Sequence, residues 1–302
     1  MSTEKKIETI LNKAKLGELP FCKKCPWSPK AAKNIAFGVS CREHGVNWKE
    51  SNCRVNSMLI VQDPGDTTPK ENDRLCAVHN AKNPSDKTAQ QGLCLWKATV
   101  SLDWGSAEND GNMKYHYWTN AIMHGASESS GLRDKFNKKN ARESCTEVLA
   151  AQIMALMPKV IIASGEVAVG SLYDIGLITR KWEDLRLKFS EGAYKEKVSK
   201  WRKKETDITV FCTYHTAAGV VNRTLSERYK EKKCEIERFI REKTKGFPKA
   251  DSIKYFLEKI YNNTENATHR GMRYLLNHWL DIGTEIRAHS LEKQPKNRFD
   301  SD

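Results

Sequence analysis

No stretch of this 302-residue chain approaches the roughly 20 consecutive apolar residues of a membrane span. A helical membrane protein is thereby excluded. The first segment, "MSTEKKIETILNKAKLG", has an amphipathic helical pattern and lacks the apolar core of an export signal. A cytoplasmic location is the expectation. Internal repeats and long low-complexity tracts are absent as well. Cysteine does not come in an even number. There are nine, in a chain with no export signal, so a disulfide framework is not expected. Acidic residues are in deficit, 38 against 51 Lys and Arg, which leaves a net charge of +13. Such a field favours polyanions, with nucleic acid first among them. Apolar residues make up only 39% of the chain, low but sufficient for a core.

The hydrophobic pattern alternates strands with helices. Residues 3–16 read as a helix. "NIAFGVS" (34–40) and "SMLIVQD" (57–63) read as strands, joined by a polar loop with Cys41 and Cys53. Residues 88–102 read as a helix and 114–122 as an aromatic-rich strand. Residues 141–158 form a helix, 159–164 a buried strand, and Gly165 leads into another helix. "DITVFCTYH" (207–215) is the last clear strand. This alternation implies an α/β fold with a mostly parallel sheet covered on both faces. The expected organisation is an α/β body over 1–223, including the cysteine-bearing N-terminal segment. A basic helical extension over 224–302 packs on it as two or three added helices.

Ligands of such sheets bind outside the carboxyl ends of the strands. Four polar tips fall there: Gln62-Asp63, Thr119-Asn120, Ser164-Gly165 and Tyr214-His215. The stretch "SMLIVQDPGD" poses the question most sharply. Its buried strand ends in a carboxylate, followed by a Pro64-Gly65 turn that lets another molecule approach the backbone. A single strand-end Asp is most often a turn residue or a cap, and a single His most often a satisfied core residue. Four converging polar tips that include Asp, Asn and His point to an active site.

These stretches resemble the uracil-DNA glycosylase superfamily, over roughly residues 20–223. "VQDPG" is similar to its first motif, which is Gln-Asp-Pro-Tyr in the cluster-free uracil enzymes and Glu-(Ala or Gly)-Pro-Gly in the iron–sulfur enzymes; this chain mixes the two. "GLCLW" (92–96) resembles the aromatic floor beneath the base, and "WTNAI" (118–122) the strand with the base-reading Asn. "CTEVLAAQIMALMPKVIIASGEVAVGSL" (145–172) is similar to the Cys-helix-Pro-Lys-strand-Gly stretch of the iron–sulfur branch. "HTAAGVVNR" (215–223) resembles the His loop that enters DNA.

The resemblance implies a three-layer α/β/α fold and a DNA glycosylase that flips out a pyrimidine and leaves an abasic site. It implies Asp63 as the carboxylate that stabilises a cationic sugar and orients water. It implies His215 as a hydrogen-bond donor to the departing base. Asn120 and Gln62 then contact the base, Gly65 lines its C5 edge, and Trp96 stacks on it, because Leu95 occupies the usual floor position. Ser164 and Gly165, at a helix start, suit a phosphate. Thr216 and Arg223 are expected on DNA. Gly219 stands where the family has its intercalating Leu, so Val220 or Val221 is the expected wedge. Nine basic and four acidic residues between Lys181 and Lys204 are equally readable as a solvated face or as a DNA contact.

The cysteines leave two ligand sets open. The iron–sulfur branch implies Cys22, Cys25 and Cys145, with His124 at the remaining position, for an iron–sulfur cluster or zinc. Cys41 and Cys53 offer an alternative with Cys22 and Cys25. If strands 34–40 and 57–63 were antiparallel neighbours, that alternative would span about six residues, roughly 20 Å. Buried, unligated thiols are the bland alternative, and Cys76, Cys94, Cys212 and Cys234 read as packing residues.

Three functions remain in competition. Gly65 in place of the family's Tyr removes a wall beside C5, so a modified pyrimidine fits. The superfamily includes antiphage enzymes that excise glucosylated hydroxymethylcytosine from viral DNA. An ordinary uracil enzyme of base excision repair is the alternative, because glycine also occurs in uracil-removing relatives. A non-catalytic, base-sensing DNA-binding module is the third. A monomer that binds DNA and no membrane is expected in each case.

Overall fold

The computed structural model describes residues 3–28, 36–37, 55–62, 116–125, 134–189, 192–215, 220–245 and 267–291. A central sheet of five strands organises them. The strands are β2 (Ser57–Val61), β3 (His116–Asn120), β5 (Val160–Ser164), β6 (Tyr194–Trp201) and β7 (Lys204–Thr213), in the order β3-β2-β5-β7-β6. The first four in that order run parallel, and β6 is antiparallel to β7 at the edge. Two short strands, β1 (Ala36–Phe37) and β4 (His124–Gly125), make a separate antiparallel pair. Ala36 and Phe37 therefore do not pair with β2, and the antiparallel neighbourhood considered for them is corrected: their partner is His124–Gly125, the stretch after β3.

Helices cover both sides of the sheet. They are α1 (Thr3–Lys15), α2 (Lys135–Leu156), α3 (Glu166–Asp174), the short α4 (Trp182–Leu185), α5 (Ser226–Glu231), α6 (Lys233–Thr244) and α7 (Ala267–Leu291). None of the described helices is long and apolar enough to cross a membrane. Helix α2 starts six residues before its apolar periodicity does. Asp134 caps it, accepting from the Phe136 and Asn137 N–H groups at 2.8 and 2.9 Å. Those bonds lower the Asp134 pKa. The helix ends at Met157 in a left-handed conformation (φ 44°), just before Pro158.

The β6–β7 hairpin turns through Arg202 and Lys203, both at positive φ (47° and 64°). Two-residue hairpin loops of that geometry favour Asn and Gly. Here the turn is held from outside. Arg202 makes a forked pair with Glu147 of α2 at 2.7 and 3.1 Å and lies over the Trp201 ring. Part of the basic 181–204 stretch is thus the exposed half of an edge strand, and Arg202 already has a carboxylate.

One hydrophobic cluster runs through the described residues, from Ile7 and Leu11 of α1, through β2, β5 and β7, to Leu275, Trp279 and Ile286 of α7. Cys212 is buried in it, whereas Cys234, expected as a packing residue, is exposed.

Candidate active site

The four parallel strands end side by side. Val61 is in register with Asn120, and Ser164 with Thr213. Past the strand ends the chains stay tied. Ala121 N–H donates to the Val61 carbonyl at 2.8 Å, and Ile122 N–H to that of Gln62 at 3.0 Å. From the β3 tip to the β7 tip is three strand spacings, roughly 14 Å.

Asn120 closes one side. Side chains alternate along a strand. Tyr117 and Thr119 face α2, where both hydroxyls donate to Gln152 Oε1 at 2.9 Å. The Gln152 amide nitrogen donates to the Val148 carbonyl at 3.3 Å. Trp118 and Asn120 face the other way. Asn120 is 1% exposed, and neither its amide oxygen nor its amide nitrogen meets a hydrogen-bond partner among the described residues. A buried primary amide without partners costs on the order of 1–3 kcal/mol. Structural asparagines are rarely left in that condition.

The other side is built by Gly165 and His215. Gly165 adopts φ 92°, ψ 172°, a region open essentially to glycine alone. Its N–H donates to the Thr213 carbonyl at 2.7 Å, and the Ser164 hydroxyl donates to the Tyr214 carbonyl at 3.2 Å. These bonds draw β5 and β7 together at the tip. A Cβ on Gly165 would stand 2.6 Å from His215 Cβ. Half-buried His215 is thus seated directly against the glycine backbone at the start of α3.

Asp63, Gly65, Trp96 and Thr216 lie outside the described residues, although Asp63 follows Gln62 directly in the chain. The Ser164 hydroxyl and the Gly165 N–H are both engaged, and among the described residues no side chain caps the start of α3. The π-helical turn Val220–Leu225 places Arg223 on the surface and leaves Val220 half-buried. Val221 is a correction: it is 0% exposed, packed against α7, and does not present a wedge. Sequence reasoning missed Gln152. Its signal was present, a polar residue on the apolar stripe between Leu149 and Leu156.

The N-terminal cysteines lie elsewhere. Cys22, in the 3-10 turn Pro20–Lys24, and Cys25 just after it are buried near Cys145 of α2. Burial raises the Cys25 and Cys145 pKa values, and each thiol feels the charge of its neighbours. His124, buried close by in sequence to Met123, whose backbone reaches the Cys145 thiol, is pushed down to about 4 by burial and so is neutral. Three thiols and a neutral imidazole fit an iron–sulfur cluster or zinc by donor chemistry. Among the described residues no three His, Cys, Asp or Glu side chains are drawn together as a metal-holding group.

The model of the uracil DNA glycosylase superfamily fits residues 50–241. No curated protein matches the sequence. The matched span carries all four strand tips and leaves out α1 and α7.

Proposed function

The chain belongs to the uracil DNA glycosylase superfamily, a family of DNA glycosylases, and on that premise we propose that it excises a modified pyrimidine from DNA. The reading is carried by Asn120, a buried amide with an unused donor and an unused acceptor at the strand tip. The Watson–Crick edge of a flipped pyrimidine supplies one of each.

In this mechanism the electrons of the C1′–N bond leave with the base. The sugar gains cationic character, and water adds to C1′. Asp63 stabilises that cation and orients the water. His215 donates a hydrogen bond to the base oxygen as negative charge gathers there. Donors already in place are worth several kcal/mol in such a step. Gln62 and Trp96 hold the base. The α3 start at Gly165, with Thr216, Val220 and Arg223, takes the DNA backbone and the gap in the stack. Cys22, Cys25, Cys145 and His124 would hold the cluster or zinc. Such a group would brace the N-terminal segment against α2 and take no part in bond cleavage.

The substrate proposal rests on Gly65. Glycine leaves room beside C5, and glucosylated hydroxymethylcytosine is the largest base the reading admits, which would make the enzyme an antiphage defence. The polar 65–91 segment, with Asp66, Asn72 and Asn83, would supply partners for the sugar.

The test is direct. The protein is incubated with duplexes carrying uracil, mismatched thymine, hydroxymethylcytosine or glucosylated hydroxymethylcytosine, and abasic sites are detected by alkaline cleavage. Asp63→Ala and His215→Ala should abolish release while retaining DNA binding. Gly65→Tyr should suppress release of the large base and spare uracil. Efficient release of uracil alone returns the enzyme to base excision repair. DNA binding without release of any base leaves a base-sensing module.

A further inference from the structure

Two stretches of described chain, the tip of β7 at Thr213–Tyr214 and the turn at Val221, both meet α7, a helix outside the residues that match the family. At the first stands His278, 0% exposed. One ring nitrogen lies 3.0 Å from the Phe189 carbonyl, the other 2.8 Å from the Thr213 hydroxyl. A carbonyl only accepts, so Nε2 carries the proton. Nδ1 then accepts from the Thr213 O–H. Thr213 is the last residue of β7, two before His215. Its carbonyl also takes the Gly165 N–H. The His278 ring stacks against Tyr214, interplanar angle 30°. Tyr274 reinforces the same point, donating to the Phe189 carbonyl at 2.8 Å.

At the second stands Gly271. A Cβ there would lie 2.1 Å from the Val221 carbonyl oxygen. Only glycine lets α7 seat against that backbone. Gly271 and His278 are seven residues apart, two helical turns, so they share one face of α7 about 10.5 Å apart. The helix presents a close-approach site for Val221 and a hydrogen-bonding site for Thr213 on the same face.

We propose that α7 is a clasp that holds the tip of β7 and the Val220–Leu225 turn, and that His278 is a positioning residue for His215. The catalytic part of the proposal rests on the glycosylase reading; the clasp itself does not. A half-buried histidine on a strand extension depends on its strand tip for its aim. Displacements on the order of 1 Å in such a group cost up to about a hundredfold in rate.

The experiment compares His278→Phe, His278→Gln and Thr213→Val in the full chain. Phe fills the volume and removes both hydrogen bonds. Gln can accept from Thr213 and donate to Phe189. Thr213→Val removes one hydroxyl at constant shape. Amide hydrogen exchange of 211–225 is read first, because it needs no activity. It should be at least several-fold faster in His278→Phe and Thr213→Val, and near wild type in His278→Gln. Single-turnover base release should fall about 10- to 100-fold in the first two, with DNA affinity within about twofold of wild type. Release should recover in His278→Gln, a pattern that general loss of structure does not produce. If His278→Phe does not fold, Thr213→Val carries the comparison. Unchanged exchange in the folded variants overturns the clasp. Faster exchange with unchanged release overturns the positioning role. Wild-type protein that releases no base from any substrate overturns the glycosylase reading, and exchange still decides the clasp.

Discussion

Substituting Gly165 with alanine isolates the contact that seats His215. Two costs arise together. The backbone sits at φ 92°, ψ 172°, where a side chain costs on the order of 1–3 kcal/mol. The new methyl meets His215 Cβ at 2.6 Å, and the pair must separate by about 0.8 Å to reach 3.4 Å. The neighbour is the root of a side chain, so it cannot swing aside without moving backbone. The Gly165 N–H bond to Thr213 resists that movement. On the proposed function, a shift of this size misaims the His215 donor, and loss of one aligned donor costs about 100- to 1000-fold in rate. The assay pairs urea unfolding with single-turnover base release from whichever duplex wild type cleaves. Gly165→Ala should lose about 1–3 kcal/mol of stability and release base at least about tenfold more slowly. Wild-type release in a folded Gly165→Ala protein would refute the reasoning, because it would mean that His215 does not need this seat.

Asn120→Ala should separate stability from function. Removing a buried amide that lacks partners should leave the unfolding free energy unchanged or raise it by about 1 kcal/mol, while base release falls at least about a hundredfold; marked destabilisation would show the amide to be structural. Acid should weaken the fold through His116 and His278, both pushed down to about 3 by burial. Below the ordinary 6.5 the unfolded chain takes up protons that the folded chain refuses. Stability should therefore fall steadily from pH 6.5 towards 3 and owe nothing to these groups above that range. His278→Gln should flatten the slope in a series of denaturant titrations, and an unchanged slope would clear His278. Protein purified without oxygen should carry iron or zinc, lost in Cys25→Ser and Cys145→Ser. Elemental analysis that finds neither metal in wild type ends the ligand assignment.

The parallel sheet was legible because its strands are short apolar runs, such as "VIIAS", closed by polar tips. Convergence of those tips followed from strand direction alone, and Asn120, Ser164, Gly165 and His215 stand where that argument puts them. The β6–β7 hairpin was hidden because its turn is Arg202-Lys203, with no Asn or Gly. It is stabilised by Glu147, 55 residues away in the chain. Strand 36–37 was read, but its partner was not, since register between two-residue strands leaves no pattern in the sequence. Val221 looked like a wedge because apolar residues in a DNA-entering loop suit that task; a distant helix buries it instead. His278 was invisible for the same reason. Its partners Thr213 and Phe189 lie 65 and 89 residues away, and nothing local in α7 announces them.

The 65 residues between Thr213 and His278 also impose an order in time. At synthesis rates of about 5–20 residues per second, α7 follows β7 from the ribosome by roughly 3–13 seconds. Until then the tip of β7 lacks its buried hydrogen-bond partner, and the apolar surface that α7 covers faces water. A nascent chain thus has β3 and Asn120 before α7 fixes the tip of β7. The order of synthesis places completion of this strand tip after α7 has been made. A chain broken off before residue 267 would leave exposed the apolar surface that Leu275, Trp279 and Ile286 of α7 cover.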